Sequence, residues 1–156
     1  MNKKKSLTKS ERGQSMAELG IGMVILLILL AGIVDLGRAF YTYMALRDAA
    51  QEGAVYGSIC PADTTEIVDR VRSASKQPVD LKDTSHVKVD CAYVENGAAI
   101  ACDPNNVPEA GNQIKIQVSY DDFRISMPFL GTFLGTQSIN LRAGISDTIL
   151  RTLPCE

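Results

Sequence analysis

The chain has 156 residues, 46% of them hydrophobic and 22% charged, and its formal net charge is -2. This length fits one domain of ordinary size and excludes a large multidomain enzyme, and the composition excludes a disordered chain. A protein that binds nucleic acid needs clustered Lys and Arg to neutralise phosphates, so the slightly negative net charge argues against a nucleic-acid partner.

The first thirteen residues are basic, although the rest of the chain is acidic. Their charged side chains are Lys3, Lys4, Lys5, Lys9 and Arg12 against Glu11. Residues 19–34 then form an apolar run without a charge or an amide side chain. At about 1.5 Å per helical residue, this run together with Met16 and Ala17 nearly crosses the ~30 Å hydrocarbon core of a bilayer. We therefore predict a transmembrane helix over about residues 16–34.

The charges that flank this helix predict its orientation. Basic residues lie before it, and Asp35 is the first charged residue after it. Because the cytoplasmic flanks of membrane helices carry the positive charge, the N-terminus is expected inside the cell and the C-terminal part outside. The predicted location is the cytoplasmic membrane, crossed once.

The helical pattern continues beyond the apolar run, since residues 35–56 contain no Pro. Apolar and aromatic side chains recur there at spacings of three and four residues: Leu36, Phe40, Tyr43 and Met44. We predict one helix over residues 14–58, apolar all round in its first half and amphipathic in its second, on which a sheet packs. The alternative is a secretory signal peptide with a small-x-small site at Gly37 and Ala39, but that cut would divide a continuous helix.

Glu18 does not fit an ordinary membrane anchor, because it directly precedes the apolar run. A carboxylate in hydrocarbon costs a few kcal/mol, so an acidic residue there is a functional candidate whose partner must be sought. If the chain is cut after Gly13, a new α-amino group appears at Gln14 and Glu18 becomes the fifth residue of the mature chain. That amine is a candidate counter-charge.

The segment RGQSMAEL resembles the processing signature of type IV pilin-like proteins, in which a prepilin peptidase cuts after a Gly in a short basic leader and the fifth mature residue is Glu. More narrowly, residues 12–58 look like the TadE-like family, the pseudopilins of the tight-adherence (Flp) pilus system. Residues 114–151 are similar to the C-terminal part of that family, in which a small β domain follows the helix.

This resemblance implies a structural protein for pilus assembly, with a cleaved leader over residues 1–13, a cut between Gly13 and Gln14, and Glu18 paired with the freed amine. The implied partners are a prepilin peptidase, other pilins and pseudopilins of the Flp system, and the inner-membrane pilus platform. The mature protein would either remain in the membrane or enter the pilus.

Residues 59–156 are predicted to form a small extracytoplasmic α+β domain. Asp63, followed by Glu66, resembles a capping box and precedes an apolar stripe that ends before Pro78. This pattern predicts a second, short helix. The predicted fold class is therefore α+β, with a long pilin-like helix packed with a small antiparallel sheet and one short helix.

Alternating patterns predict the strands of that sheet. Residues 86–94 and 113–120 alternate between apolar and polar side chains, which is typical of half-buried strands. The acidic pair at residues 121–122 is expected to form a turn that ends the second of these strands. Residues 139–145 alternate as well, and since Asp147 would be the next inward-facing residue, a bulge, a sheet edge or a partner is expected there.

The cysteines are expected to form disulfides, because an even number of them lies in a small domain outside the membrane. Three pairings are possible. We favour Cys91 with Cys102, which closes the loop between the first two predicted strands, and Cys60 with Cys155, which ties the end of the chain to the end of the helix. The alternative is that all four are reduced and buried. A zinc site is not expected, because the chain has no C-x-x-C motif and one His.

No motif indicates catalysis. The chain lacks G-x-S-x-G, Walker and H-E-x-x-H patterns, and His86 lies on the polar face of a predicted strand beside Lys88. We therefore expect neither an enzyme nor a cofactor, a metal or a small-molecule substrate.

Two other features are candidate contact surfaces. Residues 127–134 combine Pro and Gly with four large apolar side chains, namely Phe129, Leu130, Phe133 and Leu134. They form either a helical turn folded onto the long helix or a patch that docks a neighbouring pseudopilin or the membrane surface. Gly53 and Gly57 form a small-xxx-small pair, which either admits a partner helix or marks a fraying helix end.

Two hypotheses of function remain from the sequence. The favoured one is a structural assembly protein of a pilus machine, and the alternative is a membrane-tethered or secreted binding or sensor module. The junction after Gly13 distinguishes them, because a permanent tether needs neither a cleavable leader nor an acid at Glu18.

Overall fold

The long helix, the short helix and the small sheet that the sequence predicts are confirmed in a computed structural model, which describes residues 9–127, 135–151 and 155. The helices are α1 (Lys9–Ile59) and α2 (Thr64–Ser73), and the strands are β1 (Val87–Glu95), β2 (Ala98–Ala101), β3 (Gln113–Arg124) and β4 (Ser138–Thr148). The strands pair antiparallel in the order β2-β1-β3-β4. The fold class is α+β.

The sheet and α2 pack against the C-terminal half of α1. The core they enclose contains Leu46, Ala49, Ala50 and Ala54 of α1, Ile67 and Val71 of α2, and Val87, Tyr93, Ile114, Ile116 and Val118 of the sheet. The side chains that α1 contributes are mostly small, so the sheet lies close to the helix axis. The inward-facing positions of β1 and β3 follow the predicted alternation.

The glycine pair of α1 lies inside this contact. A Cβ atom on Gly53 would collide with Cγ2 of Val71, and one on Gly57 would lie 2.6 Å from Cδ1 of Ile114. Both glycines therefore let α2 and β3 of the same chain approach the helix. The predictions of a partner helix or a fraying end at this pair were wrong, because the pair is buried under its own domain.

The bulky apolar side chains after the apolar run face away from the sheet. Leu36, Phe40 and Tyr43 are 72%, 63% and 40% exposed, whereas Thr42 and Leu46 are buried. The sheet therefore packs on the face of α1 opposite these three side chains. Close packing of a sheet on a helix favours small side chains, with Leu46 as the buried exception, and leaves Leu36, Phe40 and Tyr43 on the opposite face.

The short helix α2 begins as predicted. Asp63 is its N-cap residue, and its side chain accepts a hydrogen bond from the backbone N–H of Glu66 at 3.1 Å. This bond satisfies one of the unpaired donors of the first turn. The apolar stripe then buries Ile67 and Val71 against α1.

Strand β2 was not predicted. It pairs with β1 through a two-residue turn at Asn96 and Gly97, whose φ angles are 52° and 81°. Two successive positive φ angles are the signature of the type I′ turn that suits the twist of a hairpin. The hairpin makes β2 one outer strand of the sheet.

The acidic pair does not end a strand, contrary to prediction. β3 continues to Arg124, and a bulge between Tyr120 and Phe123 accommodates Asp121 and Asp122. The strand resumes because Phe123 is 5% exposed and pairs with Ile139 of β4. Near the end of β4, the alternation reaches Asp147. Because β4 is the other outer strand, Asp147 lies at an edge of the sheet, which was one of the expected explanations.

Candidate functional site along the long helix

Between Gly13 and Val34, α1 is mostly apolar and largely exposed. From Gly13 to Ile59, α1 contains an 18-residue window with a mean hydropathy of 2.7, of which 6% is buried. Its length and composition therefore suffice to cross a membrane, and it is the one such helix among the residues that the structure describes. Exposed side chains such as Met16 and Leu19, at 74% and 64%, have no covering from the sheet.

Gly13, Gln14 and Glu18 lie exposed at the start of this apolar half. Because α1 begins at Lys9, the bond between Gly13 and Gln14 lies within the helix. The side-chain amide Nε2 of Gln14 donates a hydrogen bond to Oε1 of Glu18 at 3.2 Å. Residues four apart are neighbours on a helix surface, which brings these two side chains into contact.

A continuous apolar stripe runs from Glu18 across the predicted span and beyond it. Its members recur at spacings of three and four residues and thus share one face of α1. They are Ile25, Leu29, Ile33, Leu36, Phe40 and Tyr43, each at least 40% exposed. We call this set the exposed stripe. It extends more than two helical turns past Val34, the last residue of the apolar run.

The loop that leaves β3 is fastened to α1 just after the apolar run. Asp35 is 5% exposed, and its Oδ2 accepts a hydrogen bond from the backbone N–H of Met127 at 2.6 Å. Arg38 donates to Oδ1 of Asp35 at 3.1 Å and to Oγ of Ser126 at 3.0 Å. We call these four residues the Asp35 clamp.

One residue of the Asp35 clamp, Met127, also contacts the apolar run. The sulfur of Met127 lies 3.6 Å from the position that a Cβ atom on Gly32 would occupy. The end of the sheet is therefore packed against the last apolar turn of the predicted span. Sequence reasoning missed this contact, and the one local signal for it was that Asp35 is the first charge after the run.

A cleft of about 730 Å³ opens beside the Asp35 clamp, between α1, the loop before β1 and the end of β3. Its lining includes Arg38, Tyr41, His86, Tyr120, Phe123 and Arg124. The guanidinium carbon of Arg38 lies 5.4 Å from the centre of the Phe123 ring, which is a cation–π distance. The cleft thus presents arginines and aromatic rings next to the helix segment that follows the apolar run.

One carboxyl group near this cleft has a perturbed pKa. Hydrogen bonds from Ser85 and His86 lower the pKa of Asp83 to about 2, because they favour its charged form. His86 in turn lines the cleft beside Tyr120, with 6.2 Å between the ring centres. This cluster orders the loop that enters β1.

One disulfide joins residues that are far apart along the chain, and the other links the two sides of the β1-β2 hairpin. Cys60 is bonded to Cys155 and Cys91 to Cys102, with Cα–Cα distances of 5.6 and 5.4 Å. These are the two pairings that the sequence favoured. Within residues 9–127, 135–151 and 155, no group of three His, Cys, Asp or Glu side chains is arranged to hold a metal ion.

One predicted contact surface falls outside the described residues. It comprises Phe129, Leu130, Phe133 and Leu134. Its neighbour Met127 is described and belongs to the Asp35 clamp.

Comparison with known protein families gives one finding. Residues 13–55 match the family model described as TadE-like protein. This family is a structural one associated with the Tad (Flp) pilus system, and the match confirms the resemblance seen in residues 12–58. It begins at Gly13 and covers the apolar half of α1 and most of the half that carries the sheet. Neither the curated proteins nor the solved structures contain a match to the chain.

Proposed function

We propose that this chain, TadE-like over residues 13–55, is a minor pilin or pseudopilin-like structural component of a tight-adherence (Flp) pilus. The exposed stripe carries the proposal. Its members Phe40 and Tyr43 lie beyond the predicted span and its headgroup layer, where a helix that serves only as an anchor has no use for large apolar side chains in water. A helix that packs side by side with the helices of other pilins and pseudopilins buries them.

The proposed maturation is a cut between Gly13 and Gln14 by a prepilin peptidase, which removes residues 1–13. The freed α-amino group of Gln14 then balances the carboxylate of Glu18, in the same chain or in a neighbouring subunit. The contact between the Gln14 and Glu18 side chains supports this, because it puts the two residues on one face of the first turn. A charge pair in hydrocarbon offsets its own desolvation and fixes helix register more than it adds affinity.

The proposed topology is a single span of the cytoplasmic membrane with the N-terminus inside and the domain outside. The basic leader supports this orientation. The two disulfides support it as well, since such bonds persist in oxidising compartments. From this position the α1 helix would meet the inner-membrane pilus platform and then either stay there or enter the fibre.

The test is the N-terminus of the mature protein, determined by mass spectrometry on membranes from wild-type cells and from cells without the prepilin peptidase. We expect Gln14 as the first residue in the wild type and the intact leader in the peptidase-deficient cells. Gly13→Leu should block the cut, because it changes the residue before the scissile bond. Gly20→Leu is the matched control, since a side chain at Gly20 meets open space and should leave processing unchanged.

Two other N-termini would contradict the proposal and favour the alternative module. An intact Met1 in wild-type cells would indicate a permanently tethered binding or sensor domain. A chain that begins at Phe40 would indicate a secreted domain released by a signal peptidase. In both cases the Glu18 carboxylate would have no α-amine to pair with.

A further inference from the structure

We infer that the edge of the sheet at residues 123–127 rests on the headgroup layer of the outer leaflet, so that the protein contacts the bilayer through two separate elements. This surface is additional to the span and to the exposed stripe. The inference rests on the membrane span in the proposed function and adds a lipid partner that the span alone does not require.

The first step is the position of Met127 along α1. Its sulfur lies beside Gly32, two residues before the apolar run ends at Val34. Its backbone N–H donates to Asp35, the first residue after the run. The segment that follows β3 therefore lies level with the last apolar turn of the helix at Met127. When that turn is inside hydrocarbon, Met127 is at the hydrocarbon boundary.

The second step is that this arrangement is held by buried bonds. The Asp35 carboxylate is 5% exposed and has the Met127 N–H on one oxygen and Arg38 on the other. Arg38 also binds Ser126, the neighbour of Met127. Moving the sheet away from the bilayer would break the hydrogen bond from the Met127 N–H to the Asp35 carboxylate and the one from Arg38 to Ser126, which is unfavourable. The domain is thus kept against the surface.

The third step is the chemistry of this edge. Arg38 follows Val34 by four residues, roughly 6 Å along the helix axis, which is within the headgroup layer of roughly 5 to 7 Å on each side of the hydrocarbon. The side chains of Arg38 and Arg124 are 50% and 85% exposed. Arginines reach lipid phosphates from this depth.

Charge and sequence agree with a lipid partner. Asp122 is the acidic neighbour of Arg124, with 3.7 Å between the carboxylate and Nε, so Arg124 keeps most of its donors for phosphate. Residues 128–134, which follow Met127 in the sequence, include no charged side chain. The lipid surface that fits this edge is one with anionic headgroups.

The chain has no Trp, so a single introduced Trp reports its own depth. We would reconstitute the full chain in liposomes with anionic phospholipid and acyl-chain-brominated lipid, and measure fluorescence quenching of Met127→Trp. Gln137→Trp is a second reporter at the same edge, since Gln137 pairs with Ile125 and is exposed. Leu29→Trp reports the span.

Ile100→Trp is the matched control on the same sheet. Ile100 is 45% exposed and pairs with Tyr93, which pairs in turn with Ile114 beside Gly57. Since Gly57 follows the apolar run by 23 residues, this site lies roughly 35 Å above the hydrocarbon. We expect quenching at Leu29, Met127 and Gln137 to be several-fold stronger than at Ile100.

Adding Asp35→Ala should lower quenching of the Met127→Trp reporter to the level of Ile100→Trp and leave Leu29→Trp unchanged. Quenching at Leu29 without quenching at Met127 and Gln137 would overturn the inference while the span stands. Undiminished quenching at Met127 with Asp35→Ala would overturn the part assigned to the clamp. No quenching at Leu29 would remove the span and the proposed function with it.

Discussion

Glu18 and Asp35 lie at opposite ends of the apolar run, and their surroundings differ. Asp35 is buried, and its charge is compensated by Arg38 within the same chain. Glu18 is exposed and accepts a hydrogen bond from the neutral amide of Gln14. Asp35 therefore serves the architecture of the monomer. Glu18 is available for the positive charge that the proposed processing would create.

We predict that Glu18→Ala abolishes pilus formation without unfolding the domain. The substitution removes an exposed side chain far from the core, so the free energy of unfolding should change by less than about 0.5 kcal/mol. It also lengthens the apolar segment, which makes the helix harder to extract from the bilayer. The cleaved protein should accumulate in membranes, as measured by immunoblot, while surface pili and cross-links to partner pilins are lost.

Asp48→Ala is the control for this experiment, because Asp48 is an exposed carboxylate on the same helix beyond the predicted span. It should leave pilus formation at the wild-type level. Wild-type numbers of surface pili in cells with Glu18→Ala as their only copy would refute the role assigned to this carboxylate.

The packing between elements depends on the two glycines of α1. We predict that Gly53→Ala destabilises the domain by about 1 to 2 kcal/mol, since overpacking costs about 1 to 3 kcal/mol and the gain in helix propensity returns up to about 1. The colliding atom belongs to Val71, whose β-branched side chain has little freedom to move. Urea unfolding of the full chain in detergent, followed by near-UV circular dichroism, measures the change.

Gly37→Ala provides the comparison on the same helix, because nothing lies within 4 Å of a Cβ atom there. It should leave the free energy of unfolding unchanged or raise it by up to about 1 kcal/mol. Adding Val71→Ala to Gly53→Ala should relieve the collision, so that the two substitutions together cost less than their sum. Equal changes in the free energy of unfolding for Gly53→Ala and Gly37→Ala would show that the close approach of Val71 to Gly53 does not limit stability.

Elements with local signals could be predicted from the sequence. The cap at Asp63 and the alternation along β1 and β3 are such signals, because they depend on residues a few positions apart. β2 was missed because three of its four residues are Ala, which disfavours strands, although Asn96 and Gly97 before it are a hairpin signal.

Contacts between distant parts of the chain could not be predicted. The hydrogen bond between Asp35 and Met127 joins residues 92 positions apart, and no local pattern encodes such a pair. The sequence also did not predict which face of the second half of α1 the sheet would cover. That half has bulky side chains such as Phe40 on one face and small ones such as Ala49 on the other, and periodicity alone does not tell which face a sheet will cover.

At the scale of the whole molecule, the C-terminal segment closes the domain onto the end of α1. The backbone N–H of Leu150 donates to the carbonyl of Ser58 at 2.8 Å, and Nε of Arg151 donates to that of Ile59 at 3.2 Å. These bonds satisfy carbonyls that a helix end leaves unpaired. The disulfide between Cys60 and Cys155 fastens the same segment one residue beyond the helix.

The two disulfides should therefore differ in their effect on stability. Cys60 and Cys155 close a loop of 95 residues that contains α2 and the whole sheet, whereas Cys91 and Cys102 are separated by 11. Since restriction of the unfolded chain grows with loop length, Cys60→Ser with Cys155→Ser should cost about 5 kcal/mol, and Cys91→Ser with Cys102→Ser about 3 kcal/mol. Urea unfolding of both double variants in detergent without reductant compares them. A larger loss from the inner pair would contradict this ranking, and unchanged stability in both variants would show that packing alone holds the domain on α1.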